Sequence, residues 1–438
     1  MMLSTIEETL SWIHDLLPHG IKPGTTRMEW MLQQLDHPER KLRTIHVAGT
    51  NGKGSTVSFL KHIYQKAGYT IGTFTSPYLT HFNERIAVNG EWISDEDLIK
   101  AANIVYPLVK ELEDSDMGTP TEFEVVTMLS FVYFAKIKRC DLVIYEVGLG
   151  GRLDSTNVIT PLVSIITSIG MDHMAQLGDT IQSIASEKAG IIKSGVPVIT
   201  AVEQAPALEV IRQKAKEKQA KLYEFGKEIK IDTGEFSEDF QAFDCHTVFH
   251  HHDNLKIGLI GAHQLRNAAC ALMAVDVLNM YFAVWVDEAD ILAGLEDTVW
   301  PGRFEAVSQT PKIVLDGAHN PEGSEALASA MNRYYKGKDV TTIFASLADK
   351  NNDAMTRNIA GISSKMVFTT FDFPRAALPD DLYSLCDHTN KESNENWKEA
   401  IDQARAQTSK DGVILITGSL YFISEARQYL LKSEKPLS

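Results

Sequence analysis

The segment from Thr44 to Thr56, Thr-Ile-His-Val-Ala-Gly-Thr-Asn-Gly-Lys-Gly-Ser-Thr, leaves the chain few ways to fold. An apolar run of strand type enters a turn rich in glycine, and an amphipathic stretch from Val57 to Lys66 follows. Strand, glycine loop and helix start, in that order, make a cradle for phosphate. Loop N–H groups and the helix dipole face the anion, and Lys53 supplies a point charge. The usual wording is G-x-x-x-x-G-K-[ST]. Here two residues separate Gly49 from Gly52, and Gly54 stands between Lys53 and Ser55. Nucleotide binding is expected, in a subfamily marked by this spacing.

Elsewhere, short apolar runs alternate with helical periodicity, which predicts an α/β fold with a mainly parallel sheet. Strands are expected at residues 44–48, 71–75, 142–147, 162–168 and 196–200. Helices are expected at 56–67, 94–113, 123–138, 181–192 and 207–219. From Tyr223 to Ile260 the pattern shifts to short alternating segments with Gly and Asp turns, read as a small antiparallel sheet, and a helix from Gln264 to Tyr281 follows. A Pro-Gly break near Trp300 to Glu305 opens a second strand–helix series: 313–315, 324–335, 340–345, 365–370 and 413–417. The expected division is therefore 1–297, a linker at 298–303, and a smaller Rossmann-like α/β domain at 304–438. A chain of 438 residues also exceeds what one core usually serves.

A net charge of −16 argues against nucleic-acid or anionic-membrane partners, so an anionic ligand must be met by local cations and metal. No apolar run approaches the ~18 residues of a membrane span, and the N-terminus lacks signal-peptide character. The four cysteines are scattered without a C-x-x-C pair, which fits buried thiols in a reducing compartment. A cytoplasmic, soluble protein is expected; a monomer is the working expectation, but oligomeric state is not read from these features.

The other distinctive residues also fall at strand ends, where open α/β sheets bind ligands. Glu146 ends an apolar strand before a glycine-rich turn (Tyr145 to Asn157), and burying its carboxylate there favours a metal partner. His173 follows another strand in Ile169-Gly-Met-Asp-His173; on spacing alone a structural histidine and a metal ligand weigh equally. Thr75-Ser-Pro-Tyr78 could present a hydroxyl but alone reads as an ordinary turn. Lys188, on an amphipathic helix, is not distinguished by periodicity from a solvated charge. Asp316, His319 and Asn320 lie at a strand end in the second series, and Arg303 in the linker is placed to reach across a cleft between the domains. The run His250-His-His252 sits among polar turn residues without a carboxylate nearby in sequence, and is read as a solvated loop.

In this order the motifs resemble the folylpolyglutamate synthase / dihydrofolate synthase family of the Mur-ligase superfamily. The resemblance runs over nearly the whole chain. It rests on Gly49 to Ser55, Thr75 to Leu79, Thr121-Glu-Phe-Glu124, Glu146 to Asp154, Asp172-His173 and Ser186 to Gly190. It continues through His263 to Asn267, Pro301-Gly-Arg303, Asp316 to Pro321 and Gly418-Ser-Leu-Tyr421. Gly54 after Lys53 is the loop's mark of folate ligases, and little chain precedes the loop to hold the UDP-binding domain of Mur enzymes.

The resemblance implies an ATP-dependent ligase joining L-glutamate to the terminal carboxylate of a reduced folate through an acyl phosphate, with dihydropteroate as an open second acceptor. It also implies that Gly49, Thr50, Asn51, Gly52, Lys53, Gly54, Ser55 and Thr56 cradle ATP, with Asn267, Arg303 and Asp316 as further ATP contacts between the domains. Ser76, Glu146 and His173 would ligate magnesium, and Lys188, as a carboxylated lysine, would support a second ion. Lys53, Lys188 and His319 are the implied catalytic residues; Arg85, Asp154, His319 and Ser419 are implied contacts for folate or glutamate. Tyr78 departs from the histidine often found after Ser-Pro in this family. Another amino-acid ligase of the superfamily, or an ATPase module that forms no bond, remains an alternative reading.

Overall fold

The apolar runs are strands covered on both faces. Every residue of β1 (Thr44–Ala48), β2 (Ile71–Phe74), β5 (Leu142–Glu146), β6 (Val163–Ile166) and β7 (Val198–Thr200) is buried, as parallel strands between helical layers require. The computed structural model describes residues 2–20 and 22–433. It adds β3 (Ile86–Val88), β4 (Glu91–Trp92) and β8 (Leu222–Glu224) to an eight-stranded sheet ordered β4-β3-β2-β5-β1-β6-β7-β8. From β2 to β8 all neighbours are parallel, and the β3–β4 hairpin adds an antiparallel edge. Strand β1 lies between β5 and β6, so its outgoing loop opens where successive connections diverge to either side, the usual ligand position in such sheets.

Aliphatic and aromatic side chains cover both faces. Val105, Val126, Phe131 and Phe134 from helices Asp95–Glu113 and Glu122–Val132 and the turn after the latter pack with Phe74 and Tyr145. Ile184, Ala185 and Ile211 of Ile181–Ala189 and Ala205–Glu217 pack with Ile166 and Val198. Next in the chain, β9 (Ile229–Phe236), β10 (Gln241–Thr247) and β11 (His251–Ile257) form a three-stranded sheet in sequence order. Its tight turns, closed by Ser237 N to Phe240 O at 2.8 Å and Thr247 N to His250 O at 2.9 Å, require antiparallel pairing.

A six-stranded sheet follows, ordered β12-β13-β17-β14-β15-β16. It comprises β12 (Glu305–Gln309), β13 (Lys312–Asp316), β14 (Val340–Phe344), β15 (Lys365–Phe368), β16 (Lys391–Ser393) and β17 (Val413–Thr417). It is parallel except for the β12–β13 hairpin. The chain divides into two compact units, Met1–Gly234 with Phe243–Lys256 and Arg266–Thr298, and Glu235–Ala242 with Ile257–Leu265 and Val299–Ser438. The sequence reading assigned everything before residue 298 to the first domain. Two short segments instead belong with the second unit, through contacts no periodicity reveals. Arg333 lies 3.8 Å over the Phe236 ring, Lys312 pairs with Glu238, and Gln241 Nε2 donates to the carbonyls of Leu259 and Gly261 at 2.8 and 3.1 Å.

All four cysteines are free thiols, three of them buried. Among the described residues, no helix is long and apolar enough to cross a membrane.

Candidate active site at the strand ends

Four neighbouring strands, β2, β5, β1 and β6, deliver the sequence-marked residues at their carboxyl ends. Ser76 follows β2, Glu146 ends β5, the glycine loop leaves β1, and His173 lies on the segment leaving β6. The loop is fastened to the end of β6. Thr50 N donates to Ser168 O at 2.9 Å, Asn51 N to Ser168 Oγ at 3.0 Å, and Thr167 Oγ1 to Asn51 O at 2.7 Å. Gly170 N donates to Thr50 Oγ1 at 2.9 Å. Gly52, at φ 89°, caps helix Lys53–Lys66 in the left-handed region, and a Cβ there would meet Asn267 Oδ1 at 2.3 Å. The fold thus brings Asn267, far away in sequence, onto the loop. Thr167 and Ser168, which hold the loop's shape, were not singled out from the sequence; two adjacent hydroxyls after a buried strand were the available signal.

Two lysines converge on one carbonyl. Lys53 Nζ donates to Gly49 O at 3.1 Å and Thr50 O at 3.2 Å, and Lys188 Nζ donates to the same Gly49 O at 3.0 Å. Lys188 is not a solvated charge: it is only 5% exposed. Burial, followed by the neighbouring Lys53 charge, pushes its pKa down to about 7, against the pull of Asp172 and Asp154. Its helix approaches so closely that a Cβ on Gly151 would meet the backbone oxygen of Glu187 at 2.7 Å, which explains the glycine at that position.

Glu146 is also 5% exposed, and its Oε2 accepts from Ser76 N at 3.4 Å, so a hydroxyl-bearing residue and a carboxylate meet at adjacent strand ends. His173 adopts φ 53°; its N–H donates to Asp172 Oδ1 at 2.8 Å, and its half-exposed ring lies 3.9 Å from Asp172 Oδ2. The buried Glu146 carboxylate beside Ser76 offers the kind of oxygen ligand a hard divalent cation takes.

Asp154 and Arg85 are held by protein groups. Asp154 accepts from Leu149 N and Thr156 N, each at 2.9 Å, and from the Thr156 hydroxyl, which itself accepts from His46 Nε2 at 2.8 Å. Burial pushes the Asp154 carboxyl up, against these hydrogen bonds, and holds His46 neutral at about 3, with Lys193 adding to the effect. Together they tie β1 to the glycine turn after β5. Arg85 pairs with Glu122 and lies 5.5 Å over the Phe123 ring. Thr121-Glu-Phe-Glu124 is accordingly a helix start: Thr121 caps it and Glu124 binds Arg27 at 2.9 Å.

In the second unit, Asp316 ends β13 and its two oxygens accept from Phe304 N at 2.9 Å and Ala318 N at 2.8 Å. Burial raises its pKa, opposed by Arg303. His319 Nδ1 lies 2.8 Å from Gly317 O, and Asn320 caps helix Pro321–Tyr334. Ser419, after the adjacent β17, is buried and its Oγ accepts from Tyr421 N at 3.2 Å. Arg303, Asp316, His319 and Ser419 therefore belong to one end of this sheet.

The His250-His252 expectation is corrected. His252 is 2% exposed, between Asp276 and Glu288. The carboxylates come from helices Ala262–Phe282 and Glu288–Glu296, too distant in sequence to be read as convergent.

Residues 47–275 match the Mur ligase middle domain, and residues 302–420 match the Mur ligase glutamate ligase domain. The two sheets are thus those of a Mur-type ligase. The chain is 44% identical over 429 residues to a Bacillus subtilis dihydrofolate synthase/folylpolyglutamate synthase, covering 98% of this chain and all of that one. Among solved structures, the E. coli protein FolC in complex with DHPP and ADP superposes with a TM-score of 0.89 at 28% identity, covering 99% of each chain. Mycobacterium tuberculosis folylpolyglutamate synthase complexed with ADP and AMPPCP gives 0.89 at 28%, covering 97% of this chain and 99% of that one. The chain belongs to the folylpolyglutamate synthase / dihydrofolate synthase family.

Proposed function

We propose that this protein uses ATP to join the amino group of L-glutamate to the terminal carboxylate of a reduced folate. The observation that carries this reading is the placing of Ser76, Glu146 and the phosphate loop at the ends of the neighbouring strands β2, β5 and β1, with the helix-borne Lys188 on the same loop carbonyl that Lys53 reaches. A free carboxylate is a poor acyl donor. Its oxygen attacks the γ-phosphorus of ATP, the bond to ADP breaks, and the resulting acyl phosphate carries a good leaving group. The glutamate nitrogen then attacks the acyl carbon, loses a proton and expels phosphate. The loop N–H groups and Lys53 hold the phosphates and offset the charge that develops during transfer. Ser76, Glu146 and His173 would hold one magnesium ion, with a carboxylated Lys188 at a second. Magnesium, when bound, neutralises phosphate charge and makes the phosphorus more electrophilic. Asn267 against Gly52 and the Arg303–Asp316 pair are assigned to ATP, and His319 and Ser419 to the substrate side.

The double name of the Bacillus subtilis relative favours dihydropteroate as a second acceptor. Offering tetrahydrofolate and dihydropteroate separately, with ATP and glutamate, should give products heavier by one glutamyl residue in each case. ADP and phosphate without that mass gain would reject ligation; a gain with one acceptor only would assign a single activity.

Glu146→Gln should raise the magnesium concentration for half-maximal activity by roughly tenfold or more. Two unit charges 4 Å apart at an effective dielectric constant of 20 interact by about 4 kcal/mol, so losing one charge from a ligand is costly. An unchanged magnesium titration would remove Glu146 from the ligand set.

A further inference from the structure

Outside the strand-end site, two imidazoles and a carboxylate meet in the first unit. Asp276, fully buried on helix Ala262–Phe282, lies with its Oδ1 2.9 Å from His250 Nδ1 and 3.3 Å from His252 Nε2. The three groups' candidate ligand atoms all lie within 4.8 Å of one another. A cation bound by nitrogen and oxygen at about 2.0–2.2 Å places its ligand atoms about 3.0–3.5 Å apart, so the cluster has the dimensions of one coordination shell. We infer that His250, His252 and Asp276 bind one divalent transition-metal ion, of the kind zinc or cobalt represents, at a site distinct from the phosphate loop.

The surroundings match what such a site needs. His252 presents Nε2 to the cluster while Nδ1 lies 2.9 Å from Glu288 Oε2, the carboxylate–imidazole pairing that fixes a metal-binding ring and raises its basicity. Thr247 Oγ1 donates to Asp276 Oδ2, orienting the other oxygen toward the imidazoles, and itself accepts from Phe249 N and His250 N at 3.1 and 3.0 Å. Charge agrees as well. Metal-bound imidazoles carry no charge, so Asp276 and Glu288 would contribute two negative charges that a divalent cation balances. The His250 ring is 48% exposed and offers an entry path. A donor set of two nitrogens and one oxygen selects transition metals over magnesium, which prefers oxygen throughout.

The competing arrangement is a protonated His252 bridging the two carboxylates with no metal. Calorimetric titration of the full-length protein with Zn²⁺, in saturating Mg²⁺, separates the two. The wild type should bind one more equivalent than His250→Ala, with affinity at that site weakened at least about 100-fold in the variant. His251→Ala, altering the exposed neighbour, should retain the equivalent, and Co²⁺ should develop visible absorption in the wild type and His251→Ala only. Because His250 is half exposed, its removal leaves the buried core intact, and circular dichroism checks this. Equal stoichiometry in wild type and His250→Ala, loss in His251→Ala as well, or no extra equivalent in the wild type overturns the assignment.

Discussion

Lys53→Ala is expected to lower ATP turnover in the presence of folate and glutamate by roughly 10²–10³-fold, the usual loss when one preorganised charge-stabilising donor is removed. The ammonium group rests on Gly49 O and Thr50 O of the glycine loop. In the proposed role it is in place before the nucleotide arrives and exchanges its carbonyl partners for phosphate oxygens. The loop's own shape comes from Thr167, Ser168 and Gly170, so the variant should fold and lose catalysis selectively. Coupled measurement of ADP release, beside a thermal melt, gives the answer. Undiminished turnover would show that Lys53 takes no part in phosphoryl transfer.

The second large effect concerns Lys188. A buried amine whose pKa has fallen to about 7 is substantially neutral near physiological pH. Its lone pair can attack carbon dioxide, forming an N–C bond and releasing one proton to give a carbamate. The neutral fraction grows as pH rises through about 7, so at fixed dissolved carbon dioxide the capacity for this modification should increase over that range. Lys188→Ala should cost on the order of 100-fold in activity, and short carboxylates such as acetate or formate should restore part of it. Rescue by methylamine instead would mean that the free ammonium is the working form, and full activity without rescue would remove Lys188 from the site.

The sheet interiors were readable because buried parallel strands are written as unbroken apolar runs: β1, β5 and β17 lie where those runs do. The edges were not. β4 and β16 are short and largely unburied, so neither period nor apolarity marks them. The same distinction holds at the site. Gly49 to Thr56 is local and carries its chemistry in its spacing, whereas the burial of Lys188 depends on the Gly151 contact and the β1 loop, which meet only in the folded chain. Arg85 and Asp154 show the converse. The family resemblance implies a substrate contact for each, yet their visible partners are Glu122 and the Leu149–Thr156 turn. His252 was misread because Asp276 and Glu288 reach it from helices remote in sequence.

The bonds between the phosphate loop and the end of β6 have a thermodynamic consequence. Ordering a glycine-rich loop is entropically expensive, and such a loop left free would charge that cost to each nucleotide it captured. Here Thr167, Ser168 and Gly170 fix Thr50 and Asn51 as part of folding itself. The entropy is surrendered once, when the chain folds, and binding energy from the triphosphate remains available for the transfer step in every catalytic cycle.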